Sequence, residues 1–175
     1  MKKNTVLLIS IVATMLAVLG CVQTMEAVSK PGIQTVERRL YTAQLEPVAS
    51  GQSFVAFTLT LKNQSDADLF VDWNQSHYVH DGVLRGRFVF QGIDPAAVRE
   101  GTVPDDVIPA GGTFTRQIAA HQLLAMYKLR DSSVGAGESG LRGGPMPAGE
   151  NGILLVMKQD GKRIRDKLTV ELLTR

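Results

Sequence analysis

The chain of 175 residues carries 19 basic and 17 acidic side chains, three histidines and one cysteine. A charge balance this close to neutral lacks the positive footprint of nucleic-acid-binding proteins, so we predict no nucleic-acid partner. A lone cysteine excludes a disulfide within the chain. The fold must therefore be held by an apolar core, for which the length suffices in a single domain.

The first 20 residues have the organisation of a secretory signal. Lys2 and Lys3 precede an apolar segment, residues 5–19, which is followed by Gly20 and Cys21. As a helix, 15 residues would span about 22 Å at roughly 1.5 Å per residue. The hydrocarbon core of a bilayer is about 30 Å thick, so we interpret the segment as a signal helix and not as a permanent membrane span.

Val18-Leu19-Gly20-Cys21 resembles the lipobox of bacterial lipoproteins. The resemblance implies cleavage between Gly20 and Cys21, followed by acylation of Cys21 on its thiol and its amine. Two or more acyl chains such as palmitate hold a protein stably on a membrane. Val22 in place of an aspartate favours the outer membrane and the periplasmic face. Without Lys2 and Lys3, the mature chain carries 17 basic and 17 acidic side chains.

The remaining chain divides into a tether and one domain. Residues 21–35 show no periodicity, and Pro31-Gly32 interrupts any regular element, so we expect a lipidated, flexible tether there. Residues 36–175 are predicted to form the folded domain. Alternating apolar residues, clearest at Val55, Phe57 and Leu59, indicate half-buried strands. The predicted strands are 36–45, 53–62, 68–73, 87–91, 107–108, 113–118, 152–158 and 162–173.

The segments between these strands give further expectations. Asp81-Gly82 and Asp160-Gly161 are tight-turn signals, and residues 74–81 are expected to bend away from the sheet. Pro95 can open one helical turn within the loop 94–109. Apolar residues at helical spacing predict a short amphipathic helix over 119–129. Residues 132–151, rich in glycine, are expected to form a long loop.

Together these elements predict a mainly β protein: an antiparallel two-sheet sandwich with one short helix. The stretches LTLKNQSDADLFVDWNQS and VIPAGGTF, with the closing hairpin, resemble immunoglobulin-like domains of small envelope lipoproteins. The resemblance implies a sandwich and carries over no catalytic residue.

No cofactor is predicted from the glycine-rich string. Gly135 to Gly140 matches G-x-G-x-x-G, but dinucleotide binding requires that string to open a helix. Gly143-Gly144-Pro145 follows soon after and cannot continue a helix.

The sequence offers few candidate residues for metal binding or for catalysis. His77 and His80 lie three residues apart, and with His121 they are the candidate ligands of a metal site, although zinc requires three or four ligands. The chain has no Gly-x-Ser-x-Gly elbow. The acidic pairs Asp105-Asp106 and Asp66/Asp68 lie in predicted turns, where carboxylates usually cap or solvate the backbone. We therefore name no catalytic residue.

We expect a non-catalytic lipoprotein that contacts an envelope protein partner. Two predicted loops supply the candidate contacts: Asn74, His77 and Tyr78 in one, and Gly135, Gly140 and Arg142 in the other. The basic residues of the last hairpin are interpreted as a solvated strand face. The alternatives are a small-ligand or metal-binding periplasmic module and, third, a hydrolase.

Overall fold

The computed structural model describes residues 27–126 and 141–173. The expected signal helix, Cys21, Gly135 and Gly140 lie outside these residues. The described elements include one α-helix, α1 (Pro95–Glu100), and a 3-10 turn at His121–Leu123. The described strands, in chain order, are β1 (Val28–Lys30), β2 (Gln34–Glu37), β3 (Tyr41–Ser50), β4 (Ser53–Asn63), β5 (Leu69–Val71), β6 (His77–His80), β7 (Val83–Gly86), β8 (Phe88–Val89), β9 (Asp106–Ile108), β10 (Thr113–Ala120), β11 (Leu124–Met126), β12 (Leu141–Gly143), β13 (Gly149–Gln159) and β14 (Lys162–Leu173).

Two antiparallel sheets form the body, and the predicted β-sandwich is confirmed. The first has the order β1-β14-β13-β5-β9, and β6 and β7 continue it along a second stretch of β13. The second has the order β2-β3-β4-β10-β8, and β11 and β12 form a separate ribbon. No described helix is long and apolar enough to cross a membrane.

The core lies between the two sheets. Leu45 and Leu59, cross-strand partners in the second sheet, are fully buried, as is Ile153 on β13 of the first sheet. Trp73 is also buried, and its ring packs against Phe90 with centroids 4.9 Å apart. The apolar alternation seen in the sequence marks the inward face correctly at Phe57 and Leu59, whereas Val55 is only half-buried between buried Phe54 and Ala56.

Strands β5 and β6 together line one edge of β13. Val71 pairs with Met157, while β6 pairs with residues 151–154. Between them the backbone bulges out, and Ser76 Oγ accepts a hydrogen bond of 3.0 Å from the Val156 amide. The expectation that residues 74–81 bend away is wrong for 77–80, because the bulge returns the chain to the same edge.

The N-terminal boundary also needs correction. β1 pairs with the last residues of β14, Val28 lying opposite Leu173, and β2 pairs with β3. The domain therefore includes residues 28–35, which were expected to belong to the tether. Pro31-Gly32 lies where the chain passes from the first sheet to the second, so this turn signal marks a crossing between sheets and not the start of the fold.

The predicted helix over 119–129 is wrong for its described part. Ala119 and Ala120 pair with Val89 and Phe88 as the end of β10, and β11 follows the 3-10 turn. The helical spacing of apolar residues arises because a strand, a turn and a second strand happen to place them at that interval. The expected loop 132–151 likewise contains β12 and the first residues of β13.

Three local signals are confirmed. Pro95 opens α1, and the Asp94 carboxylate accepts a hydrogen bond of 2.8 Å from the Ala96 amide. At the turn after β6, Asp81 and Gly82 have φ values of 47° and 75°. At the turn after β13, Asp160 and Gly161 have φ values of 48° and 72°. Consecutive positive φ angles are those of a type I′ hairpin.

The sandwich has two ends, and the turns at one end carry more charged side chains than those at the other. The proximal end, where the described chain begins beside the end of β14, carries the turns 51–52 and 81–82 and the segment 144–148. The distal end carries the turns 38–40, 64–68, 109–112 and 160–161. The 12 residues of β14 run between them and span about 36 Å at roughly 3.3 Å per residue.

Candidate functional site

The histidines contact the surrounding backbone. His77 Nδ1 lies 2.7 Å from the Gln75 carbonyl oxygen, and His80 Nδ1 lies 3.2 Å from that of Glu150. His121 begins the 3-10 turn. Within residues 27–126 and 141–173, no three His, Cys, Asp or Glu side chains are grouped so that they could hold a metal ion. The described residues therefore do not support the metal alternative.

Two of the expected partner contacts are structural residues. Tyr78 is 1% exposed, and its hydroxyl donates a hydrogen bond to the side-chain oxygen of Asn151. Burial raises the pKa of Tyr78 to about 12, which keeps this donor protonated. The Asn74 amide donates to the Val103 carbonyl at 2.7 Å and accepts from the Val103 amide at 3.1 Å. Tyr78 is thus wrong as a surface contact, and Asn74 holds a loop in place.

The remaining expected partner contacts are His77, Arg142, Gly135 and Gly140. His77 is half-buried on β6. Arg142 lies on β12, paired with Ala125 of β11. Gly135 and Gly140 are outside the described residues.

The acidic pair Asp105-Asp106 belongs to an ion-pair network. Lys158 Nζ lies 2.8 Å from Asp72 Oδ2 and 3.2 Å from Asp105 Oδ2. Hydrogen bonds to these two carboxylates raise the pKa of Lys158. Asp72 and Asp105 therefore share the single positive charge of Lys158.

A second part of this network joins the two sheets. The Arg116 guanidinium on β10 lies 2.9 Å from Asp106 Oδ1 on β9, and the Trp73 indole donates to Asp106 Oδ2 at 2.7 Å. The same guanidinium lies 4.4 Å from the ring centre of Phe90 and 5.1 Å from that of Phe114. Arg116 therefore combines an ion pair with cation–π contacts between the layers.

Two concavities lie side by side toward the distal end. Two adjoining hollows, of about 290 and 350 Å³, share Arg39, Leu40 and Ile164, and together we name them the distal groove. The other lining residues come from the β2–β3 turn, the β4–β5 turn and the β13–β14 hairpin: Arg38, Tyr41, Ser65, Asp66, Ala67, Gln159, Asp160, Lys162, Arg165 and Asp166.

Buried amides fix the loops around this groove. Asn63 is fully buried, and its Nδ2 donates to the carbonyls of Ala67 and Ile108 at 2.8 and 3.0 Å. Gln159 Nε2 donates to Ser65 Oγ at 2.5 Å and to the Ala67 carbonyl at 3.0 Å. These hydrogen bonds join the β4–β5 turn to the end of the β13–β14 hairpin.

An ion pair between Arg38 and Asp166 forms part of the lining of the groove. The Arg38 guanidinium lies 2.5 Å from Asp166 Oδ1, and the Tyr41 hydroxyl donates to Asp166 Oδ2. Burial opposes the charge of Asp166. The hydrogen bonds from Arg38 and Tyr41 outweigh it and hold the pKa of this carboxyl below its usual range. The contact joins the second sheet to β14 of the first.

The groove presents charges of both signs above an apolar floor. Arg39, Lys162 and Arg165 make no ion pair with any described carboxylate, and Asp66 and Asp160 line the same space. Leu40 and Ile164 are half-buried beneath them. Protein interfaces combine an apolar centre with a polar rim, and the lining of the distal groove contains residues of both kinds.

Sequence reasoning missed this groove. The basic residues of the last hairpin were interpreted as a solvated face, and nothing placed Arg39 or Ser65 beside them. Each of the three turns that form the groove has its own signal in the sequence. Whether the turns lie side by side depends on strand register, which spacing along the chain does not reveal.

In comparisons with known proteins, the chain matches no family model, no curated protein and no solved structure. The expected likeness to immunoglobulin-like domains therefore stays a prediction from the sequence.

Proposed function

We propose that the protein is a non-catalytic lipoprotein, anchored by acylated Cys21 at the periplasmic face of the outer membrane, whose distal groove binds a segment of an envelope protein. The observation that carries the proposal is the position of the groove. It lies toward the end of the sandwich opposite the one where the chain arrives from Cys21.

The length of chain before the sandwich supports this arrangement. Six residues lead from Cys21 to Ala27, which at about 3.3 Å each reach at most about 20 Å. An anchor at Cys21 would keep the proximal end close to the bilayer. The distal groove would then project into the periplasm, where a protein can approach it.

The contacts of five titratable side chains outside the distal groove support a non-catalytic role. Asp72, Asp105 and Asp106 are matched by Lys158 or Arg116, and His77 and His80 contact backbone carbonyls. Catalysis needs such groups to converge on a substrate-sized space. Here they hold strands and loops together.

Photo-crosslinking in intact cells tests the proposal. A photoreactive amino acid replaces Arg39 or Lys162 at the rim of the groove, and in a matched control it replaces Glu46, which is exposed on the outer face of β3. We expect one defined protein adduct from both rim positions and none from Glu46. Recovery of the protein alone from the rim variants, or the same adducts from all three positions, would contradict the proposal.

A further inference from the structure

We propose that the proximal end of the sandwich docks on the lipid bilayer through the β6–β7 hairpin, with Val83 and Leu84 entering the headgroup region. The inference rests on the proposed lipid anchor and adds to it a second membrane contact, made by the folded domain itself. It would set the orientation of the sandwich, and with it the direction in which the distal groove faces.

The hairpin exposes apolar side chains on both of its faces. Val83 is 49% exposed and Leu84 is 52% exposed, and consecutive strand residues point to opposite faces. The hairpin is therefore covered on neither side at this point. Among the described strands, β7 pairs with β6 alone and is therefore an edge strand. Edge strands usually carry charged residues, and beside this turn the edge carries two apolar residues instead.

Charged groups of both signs lie beside this pair. The Asp81 side chain is 61% exposed; its Oδ1 accepts a hydrogen bond of 3.0 Å from the Glu150 amide, and its Oδ2 lies 3.4 Å from His80 Nε2. Arg85 follows the apolar pair and is exposed, so its guanidinium can reach lipid phosphates.

The surrounding surface has the same character. The proximal turns 51–52 and 81–82 and the segment 144–148 contain one charged side chain, Asp81. The distal turns 38–40, 64–68, 109–112 and 160–161 contain five: Arg38, Arg39, Asp66, Asp68 and Asp160. Pro145, Pro147 and Ala148 are exposed at the proximal end, and these three uncharged side chains have a low desolvation cost against headgroups.

The reach of the anchor fits this contact. At the proximal end the strands follow in the order β1, β14, β13 and β6, so the hairpin turn lies three strand spacings, or about 14 Å, from Val28. The six residues before the sandwich reach about 20 Å, which is enough for Cys21 to sit in the same bilayer surface that the hairpin touches. A lipid surface thus accounts for both features, the exposed pair and its nearness to the anchored end.

Depth-dependent quenching on the full lipidated protein tests the inference. The protein is purified from membranes and reconstituted in vesicles of three parts phosphatidylethanolamine to one part phosphatidylglycerol. Because Cys21 is acylated, a cysteine introduced by Val83→Cys is the one free thiol and takes a fluorophore. Asp66→Cys, at the distal end, is the matched control. We expect lipids spin-labelled at the headgroup to quench most of the fluorescence at residue 83 and to leave residue 66 unchanged.

A third labelled position shows whether the apolar pair causes the docking. A fluorophore at Gln52→Cys, on the neighbouring proximal turn, is expected to be quenched in the otherwise native chain and to lose that quenching when Val83→Ser and Leu84→Ser are added. Both substituted side chains are exposed, so the thermal melting temperature should not change.

The possible failures can be told apart. A vesicle flotation assay first shows whether the protein is bound to the vesicles. If the vesicles float without the protein, the proposed lipid anchor is wrong, and this inference is wrong with it. If the protein floats but residues 83 and 66 are quenched equally, or neither is quenched, the anchor stands and the docking is wrong. That second result would leave Val83 and Leu84 as a contact for a protein partner, since these vesicles contain lipid alone.

Discussion

At the scale of single residues, buried side-chain amides hold the loops of this sandwich. Asn63 binds the backbone carbonyls of two other segments, and Asn151 accepts from Tyr78 while donating to the Pro147 carbonyl. Without a disulfide in the described domain, these amides and the apolar core fix the connections between strands.

Replacing Asn63 tests this role. Asn63→Ala removes the side-chain hydrogen bonds from a fully buried amide to the carbonyls of Ala67, Ile108 and Pro109, and we expect it to lower the free energy of unfolding by about 1–3 kcal/mol. Gln64→Ala is the matched control. Its amide makes one exposed contact, to Thr42 Oγ1, so the expected change is within about 0.5 kcal/mol. Urea denaturation measures both, and equal effects would contradict the assignment.

Gly152 is required by a close approach of two strands. A Cβ atom there would lie 2.0 Å from the Leu168 carbonyl oxygen, which belongs to the backbone and cannot rotate away. We expect Gly152→Ala to destabilise the protein by about 1–3 kcal/mol or more. At Gly32 a Cβ would meet nothing within 4 Å, so Gly32→Ala should melt like the unmodified protein. A Gly152→Ala variant with unchanged melting would show that the strands can separate at no cost.

Asp166 should make stability depend on acid pH. Since its pKa is lowered in the folded state, its contribution is present above the unfolded pKa of about 3.9 and is lost as the pH falls through the folded value. Asp166→Asn removes that dependence. The difference in unfolding free energy between the native protein and Asp166→Asn should therefore be largest at neutral pH and shrink below about pH 4. A difference that stays constant down to pH 2 would contradict this account of the ion pair with Arg38.

At the scale of elements, β1 and β2 bind the N-terminal segment into both sheets. A chain beginning at residue 36, the boundary expected from the sequence, would lack β1 and half of β2. It would expose the outer edge of β14, and each lost backbone hydrogen bond contributes about 1 kcal/mol. We expect it to unfold at lower urea concentration than a chain beginning at residue 27. Equal midpoints would show that these strands contribute no stability.

The sequence predicts strands well where one face is buried. β4 and β14 alternate apolar and polar residues, and the Asp-Gly pairs after β6 and β13 identify their hairpins. These features are local, since each depends on the residues of one strand or one turn.

Elements stabilised by distant partners are the ones that sequence reasoning misses. β1 has three residues and is a strand only because β14 offers it an edge. β6 follows a bulge held by Ser76, whose bond to Val156 joins residues 80 positions apart. The predicted helix over 119–129 fails for the same reason, because pairing of Ala119 with Val89 overrides the local spacing. The distal groove combines three such distant turns, so it too is invisible along the chain.

At the scale of the whole molecule, the described turns at the two ends of the sandwich differ in how many charged side chains they carry. The proximal turns are nearly uncharged and lie where the chain arrives from Cys21, while the distal turns are rich in charge and border the groove. A lipid anchor on one side and a protein partner on the other would explain both. The orientation, and with it the proposed function, depends on the modification of one residue.

The mass of the mature protein, extracted from membranes with detergent, tests that modification most directly. We predict an N-terminal peptide that begins at Cys21 and carries a diacylglyceryl group on the sulfur and an acyl chain on the amine. Cys21→Ala should abolish these additions and leave the signal segment attached. A mature protein that begins elsewhere, or an unmodified Cys21 in the native chain, would contradict the account.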